Sequence, residues 1–318
     1  MTVTTEVRDL AAAPAARPRT PFSSRISTNR FGLMLIAPVV LLTVAIVVYP
    51  VAYSLYISVT SSNPITGTTR FVGIDNYTRA LGSGEFWRTL LLTLFYVLCV
   101  TVLGTLVALG SALLLREKFF GRRFLMAVIV LPWALSTYAA AVVWRYVYSP
   151  QFGFAAAVSE HAGGSATDFL TSSTVIPALA AVHAWQFAPL GAYFLLATLQ
   201  MVPDDLYKLA KVDGMRVFSR FRNVTLPYIR VPLAIFLVLI GGQAATAFDL
   251  IYFLTSGGPG GASRTLPFFI YEETFQNQRL GSGAAMSWIL LVVVVVVTVG
   301  YYTFALRVGA GKMKEEDR

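Results

Sequence analysis

The most constraining feature of this sequence is a series of long stretches with almost no charge. Residues 33–59 and 280–306 contain no Asp, Glu, Lys or Arg at all. Stretches of that length need surroundings as apolar as themselves, and a bilayer core, crossed by about 20 residues of helix, provides them. Only 13% of the chain is charged and 56% is hydrophobic, where a soluble domain carries about 25% charged residues. These proportions argue against a water-soluble globular enzyme and for an all-α integral membrane protein.

Six runs meet the length requirement: 33–59, 89–115, 124–148, 175–200, 231–254 and 284–306. Pro38, Pro50, Pro132, Pro177, Pro189 and Pro232 fall inside them, which membrane helices tolerate as kinks. The basic residues set the orientation. Nineteen Lys and Arg lie in the N-terminal tail, the second and fourth gaps and the C-terminus, against five in the alternate gaps. Both termini are therefore expected on the cytoplasmic side. The expected organisation is a cytosolic tail at 1–30, a first transmembrane helix and external loop at 31–88, a core at 89–307 and a cytosolic tail at 308–318. The external gaps, rich in Gly, Ser and Thr, read as lids or docking loops. The net charge of +9 is explained by the cytoplasmic gaps, and no basic and aromatic motif points to nucleic acid. Cys99 is the only cysteine and His161 and His183 the only histidines, too few ligands for a metal site.

The longest cytoplasmic gap, 201–227, is more than a linker. Pro203 suits a helix start, Asp204 and Asp205 complement its positive end, and Gly214 can stop it after Asp213. A short helix is expected over about 203–212. Val217, Phe218 and Phe221 then give a second short helix an apolar stripe, with Arg216, Arg220 and Arg222 facing elsewhere and Pro227 ending it. Two short helices meeting at a glycine suit either a groove on a soluble partner or anionic lipid headgroups.

This segment resembles the cytoplasmic EAA loop of permease subunits in binding-protein-dependent ABC importers. That pattern is Glu-Ala-Ala, three residues, Gly, nine residues, then Ile, one residue, Leu-Pro. Asp213-Gly214 and Val224 to Pro227 stand at the matching spacing, and Val202-Pro203 precedes them as in carbohydrate importers. Lys208 and Leu209 replace the first two residues of the motif, and Ala210 keeps the third. A lysine cannot make the ionic contact of the usual Glu, which leaves Asp204 and Asp205 as candidate substitutes. A second likeness, to the exit of the fifth helix in carbohydrate-importer permeases, is carried by Phe248, Asp249, Tyr252, Thr255, Gly257-Gly258-Pro259, Thr265-Leu266 and Ile270-Tyr271. Leu131-Pro132 and Trp144 agree with it.

The resemblance implies the type I ABC importer permease fold, with six transmembrane helices and a coupling helix in the EAA loop. It implies a subunit without chemistry of its own in a bacterial plasma membrane. Its partners would be a second, unlike permease subunit, two ATPase subunits, an external solute-binding protein and a carbohydrate substrate. ATP and Mg would sit on the ATPase, and this chain would hold no cofactor. Asp204, Asp205, Lys208, Leu209, Ala210, Asp213, Gly214, Arg216, Phe218 and Phe221 are the expected ATPase-docking residues.

Polar groups at membrane depth usually face a cavity or a protein partner. Trp133, Tyr138, Trp185, Gln186, Gln243, Phe248, Asp249 and Tyr252 are the candidates for a substrate path, since carboxylate and amide suit sugar hydroxyls and aromatic faces suit pyranose rings. Asp249 has the alternatives of a helix terminus or a pair with Arg145, and Trp185 that of simple packing. A self-sufficient ion-coupled carrier is the alternative function. An intramembrane enzyme is disfavoured, because the spans hold no Ser/His/Asp, Cys/His or His/Glu constellation.

Overall fold

The computed structural model describes residues 24–63, 67–161 and 168–316, so most of the tail expected at 1–30, and residues 317–318, lie outside the described residues. The chain divides into two units after Tyr53. In the first, α1 (Ser24–Thr43) enters a π-helical turn (Val44–Val48) and then α2 (Tyr49–Ser58), which runs on past the division. Leu35–Ser58 is long and apolar enough to cross a bilayer. The helix begins inside the segment expected as tail.

In the second unit, β1 (Thr60–Asn63) pairs antiparallel with β2 (Thr68–Phe71), and α3 (Asp75–Gly82) follows. The buried Asn76 amide donates to the carbonyls of Ser58 and Thr60, both at 2.8 Å, tying helix to hairpin. The order continues with α4 (Gly84–Arg116), α5 (Arg122–Ala134), α6 (Thr137–Val147), α7 (Phe154–His161) and α8 (Val175–Leu199). After these come α9 (Asp204–Val212), α10 (Val217–Arg220), a π turn (Phe221–Thr225), α11 (Leu226–Ala245) and α12 (Asp249–Leu254). Last are α13 (Leu266–Tyr271), a third π turn (Glu272–Gln276) and α14 (Leu280–Glu316).

The core is the crossing of α8 with α4 and α11. Val100, Gly104, Ala108 and Ala112 recur every fourth residue on α4 and are all buried. Such a stripe of small residues lets two helix backbones approach closely. A Cβ added to Gly104 would stand 2.3 Å from Ile240 of α11, and one on Gly191 of α8 would stand 2.1 Å from the Phe236 ring. A second cluster, with Phe86, Leu266, Phe269 and Met286 buried in it, packs α13 and α14 on the start of α4.

Among the described residues, five helical segments are long and apolar enough to span a membrane, and a sixth crossing exists if one bent pair counts as a span. That pair is the expected single span 124–148. It breaks at Leu135 and Ser136, both extended, and α5 and α6 meet at 102°. Pro132 deletes one helical hydrogen bond just before the break, and the Ser136 hydroxyl caps α6 by accepting from Ala139 N–H at 3.2 Å, so two short helices replace one.

The expected fifth span, 231–254, also ends earlier than its sequence suggested. Its helix stops at Ala245, and Asp249 opens α12 after a three-residue break. Thr246 turns its hydroxyl back to the Gly242 carbonyl at 3.1 Å, beside the pair Gly241-Gly242, which offers little resistance to ending a helix. Conversely, Pro227 does not end the second short helix of the cytoplasmic gap. Val217–Ala245 runs as one helical segment because the π turn 221–225 widens the backbone where Pro227 removes a donor, and Leu226 N–H reaches Phe221 O instead. Pro50 stands in the same relation to the π turn 44–48. The gaps expected to be external are more structured than loops, since they hold the hairpin, α3, α7 and α13.

Candidate functional site

Two places in the second unit gather the residues singled out above. The first is the elbow that follows α8. Pro203 occupies the cap position with φ −58° and ψ 130°, and Asp204 and Asp205 fill the first turn of α9. The helix ends in a Schellman motif: Met215 N–H reaches Ala210 O at 3.0 Å and Gly214 N–H reaches Lys211 O at 3.1 Å. This requires Gly214 at φ +70°, a conformation glycine adopts without penalty.

Local ion pairs use the acids of this turn. Arg116, the last residue of α4, reaches Asp204 at 3.4 Å, and its guanidinium lies 3.8 Å from the centre of the Tyr207 ring. Lys208 pairs with Asp205 at 2.8 Å. The Tyr207 hydroxyl bonds Thr225 at 2.8 Å, joining α9 to the π turn. Asp204, Lys208, Phe218 and Phe221 border a cavity of about 800 Å³ that also meets Arg116, Lys118, Lys211 and Arg220. Leu209, Ala210 and Asp213 border a different cavity of about 280 Å³. Ala210 is buried, Gly214, Arg216 and Asp205 are exposed, and the tip is apolar: Val212 is 85% exposed, Phe218 75% and Val217 74%.

The second place is a cavity of about 270 Å³ between α6, α8 and the break from α11 to α12, lined by Thr137, His183, Gln186, Gln243, Phe248 and Asp249 among others. The structure thus brings together four of the eight path candidates: Gln186, Gln243, Phe248 and Asp249. Tyr252 stacks on Phe248 at 5.3 Å and Tyr138 meets Phe253 edge-on at 4.9 Å. Trp185 packs against Trp144 at 5.5 Å, and Trp133 is half exposed; neither borders the cavity. Asp249 is exposed in the first turn of α12 and makes no ion pair with Arg145 among the described residues.

His183 is the lining residue that a search for metal ligands passes over. It is buried, and its Nδ1 lies 2.8 Å from the Tyr96 hydroxyl, while Nε2 has no partner. Gln186 donates Nε2–H to Leu135 O at 3.0 Å and its Oε1 is unpartnered. A buried polar atom without a partner costs about 1–3 kcal/mol. Nothing in the sequence pairs Tyr96 with His183, 87 residues apart.

On the side expected to be external, Arg264 pairs with both Glu85 and Glu272 and lies over the Phe269 ring. Burial opposes its charge, but the hydrogen bonds and charges of Glu272 and then Glu85 prevail and raise its pKa. This cluster joins the start of α4 to the loop before α13 and to its following π turn.

Among curated relatives, the trehalose/maltose transport system permease protein MalF of Thermococcus litoralis is 32% identical over 86% of this chain and 92% of its own length. The trehalose transport system permease protein SugA of Mycobacterium tuberculosis is 28% identical over 86% and 88%. The sn-glycerol-3-phosphate transport system permease protein UgpA of Agrobacterium fabrum is 29% identical over 85% and 93%. A crystal structure of a bacterial ABC transporter that imports the acidic polysaccharide alginate has a chain of the same fold, with TM-score 0.77 at 20% identity, covering 89% of this chain and 97% of that one. The same likeness holds for that transporter in complex with its alginate pentasaccharide-bound periplasmic protein, where 96% of that chain is covered. Residues 101–309 match the family described as binding-protein-dependent transport system inner membrane component, and with a multi-pass helical chain of the type I importer permease fold around that match, this protein belongs to that family.

Proposed function

We propose that this chain is the permease subunit of an ATP-driven carbohydrate importer, forming half of the translocation path beside a second permease. It has no reaction of its own. Two ATPase subunits hold ATP and Mg, and an external binding protein delivers the cargo. The relatives named for trehalose, maltose and a glycerol phosphate support a polyhydroxylated cargo, and the mixture of amide, carboxylate and aromatic ring in the 270 Å³ cavity suits one.

The observation that carries the reading is the elbow. A glycine-stopped helix holds an exposed apolar tip on the side that the distribution of basic residues favours as cytosolic. An exposed apolar tip rimmed by charge fits a groove on a soluble protein. Closure of the ATPase pair on ATP draws the elbows together, and the continuous segment Val217–Ala245 carries that movement to the break beside the cavity, switching access from one side to the other. Both termini lie in the cytoplasm and the location is the bacterial plasma membrane.

Copurification with the ATPase tests the proposal. Wild type retains it, and its ATP hydrolysis rises when the solute-binding protein is added. Deletion of residues 205–221 abolishes the association. Full-strength binding by the deletion variant would falsify the docking role, and sugar uptake by the purified single chain on an ion gradient without ATP favours a self-sufficient carrier instead.

A further inference from the structure

His183 and Gln186 stand three residues apart on α8 and so share a face. Each has one polar atom tied down and one buried without a partner, and both residues line the same cavity. Gln186 must turn its amide nitrogen to Leu135, because a carbonyl only accepts. That carbonyl belongs to the extended residue where α5 breaks from α6. The free atom of Gln186 is therefore the acceptor Oε1.

The same logic fixes the imidazole. Tyr96 is fully buried, and among the described residues its hydroxyl has only the contact with His183 Nδ1 at 2.8 Å. Were Nδ1 the donor, the hydroxyl proton would be buried without an acceptor, and Nε2 would be a bare lone pair. With the hydroxyl donating, Nδ1 is satisfied and the only unmet group is Nε2–H, buried on a residue that lines the cavity. The second arrangement leaves fewer buried groups unpaired.

We propose that Tyr96, outside the cavity, is a positioning residue that holds His183 as the Nε2–H tautomer. Nε2–H and Gln186 Oε1 then form a donor and acceptor pair that reads the hydroxyls of a neutral polyol or sugar passing through the cavity. A hydroxyl both accepts and donates, so it satisfies the pair in full. A ligand without one leaves both groups unpaired, and discrimination of this kind is the steepest a site achieves. No positive charge on the imidazole is needed, and the selection is for neutral hydroxyls over anions.

This inference rests on the cavity being part of the transport path, and its test is read separately from ATPase docking. This chain has two histidines, so His161→Gln leaves it a single imidazole for 15N NMR of the full importer in lipid nanodiscs, with this chain alone carrying the 15N label. Wild type should show an Nε2-protonated neutral ring whose Nε2 signal moves on adding trehalose or maltose. Tyr96→Phe keeps the packing ring and removes only the hydroxyl. It should redistribute the tautomers and raise KM for uptake of the same sugars about tenfold, the loss of one well-placed hydrogen bond, with ATPase copurification unchanged. His183→Gln, which keeps an N–H donor, should recover part of the uptake that His183→Phe loses. An Nδ1-protonated ring in wild type, an Nε2 signal that neither sugar moves, or a Tyr96→Phe variant with unchanged tautomer and KM each overturns the proposal. A complex that assembles with its ATPase while His183 ignores both sugars sinks this inference alone. Loss of docking in the wild type, with the signal still moving, sinks only the function proposed above.

Discussion

The elbow and the cavity are built in opposite ways. The elbow is contiguous, residues 204–225, and its bonds are short in sequence: a Schellman turn, an i,i+3 ion pair and one tyrosine to threonine contact. Arg116 reaches it from a distant helix. The cavity draws on positions from Thr137 to Leu250 and is aimed by Tyr96 and Leu135, which do not line it. The difference teaches that a docking element can be encoded locally and stay exposed, while a selective polar site in a membrane needs distant chain segments to satisfy its buried groups.

Substitutions that separate function from stability put this contrast under strain. The largest effect is expected at the tip. Replacing Val217 and Phe218 together by Glu should weaken ATPase association about a hundredfold, the scale of a binding hot spot, without lowering the thermal unfolding midpoint, because both are about three-quarters exposed. A fall in stability of equal size would mean the tip packs within this chain. Gly191→Ala should do the reverse. Its Cβ would fall 2.1 Å from the buried Phe236 ring, destabilising the α8 and α11 crossing by about 1–3 kcal/mol, measured by thermal unfolding in detergent, while any protein that remains folded binds ATPase normally.

A smaller effect belongs to the hinge. Gly214→Ala meets no atom within 4 Å, so only the backbone at φ +70° objects, by about 1–2 kcal/mol. Association should weaken roughly tenfold with the cavity untouched, and a loss of sugar-dependent NMR shifts would show the two regions to be coupled through the fold. The smallest effect is at Lys208. Its pair with Asp205 is exposed on both sides, so Lys208→Ala should change stability by less than about 0.5 kcal/mol. If the association measured in parallel collapses, Lys208 itself contacts the ATPase.

Much of the fold is legible in the sequence. Charge-free runs of more than 20 residues announce membrane helices whatever their neighbours, and Gly214 after Asp213 announces a helix stop, because these signals act through solvent and local backbone sterics. The effect of proline is less local. Pro132 was expected to kink a span that in fact breaks by 102°, and Pro227 to end a helix that in fact continues. The same residue type has opposite outcomes because Ser136 caps a new helix in one case and a π turn absorbs the missing donor in the other.

Length, hydrophobic patterning and the glycine-stopped elbow with its residue spacing were thus decided by the sequence alone, through forces that a short window of chain feels. What only the tertiary structure decided is which polar groups meet. Tyr96 and His183 become partners because a stripe of small residues lets α4 and α8 close together, and Gln186 finds a free carbonyl because a neighbouring helix breaks beside it. Buried hydrogen-bonding groups are selected by satisfaction across the fold, and satisfaction is a property of packed helices that no single stretch of residues contains.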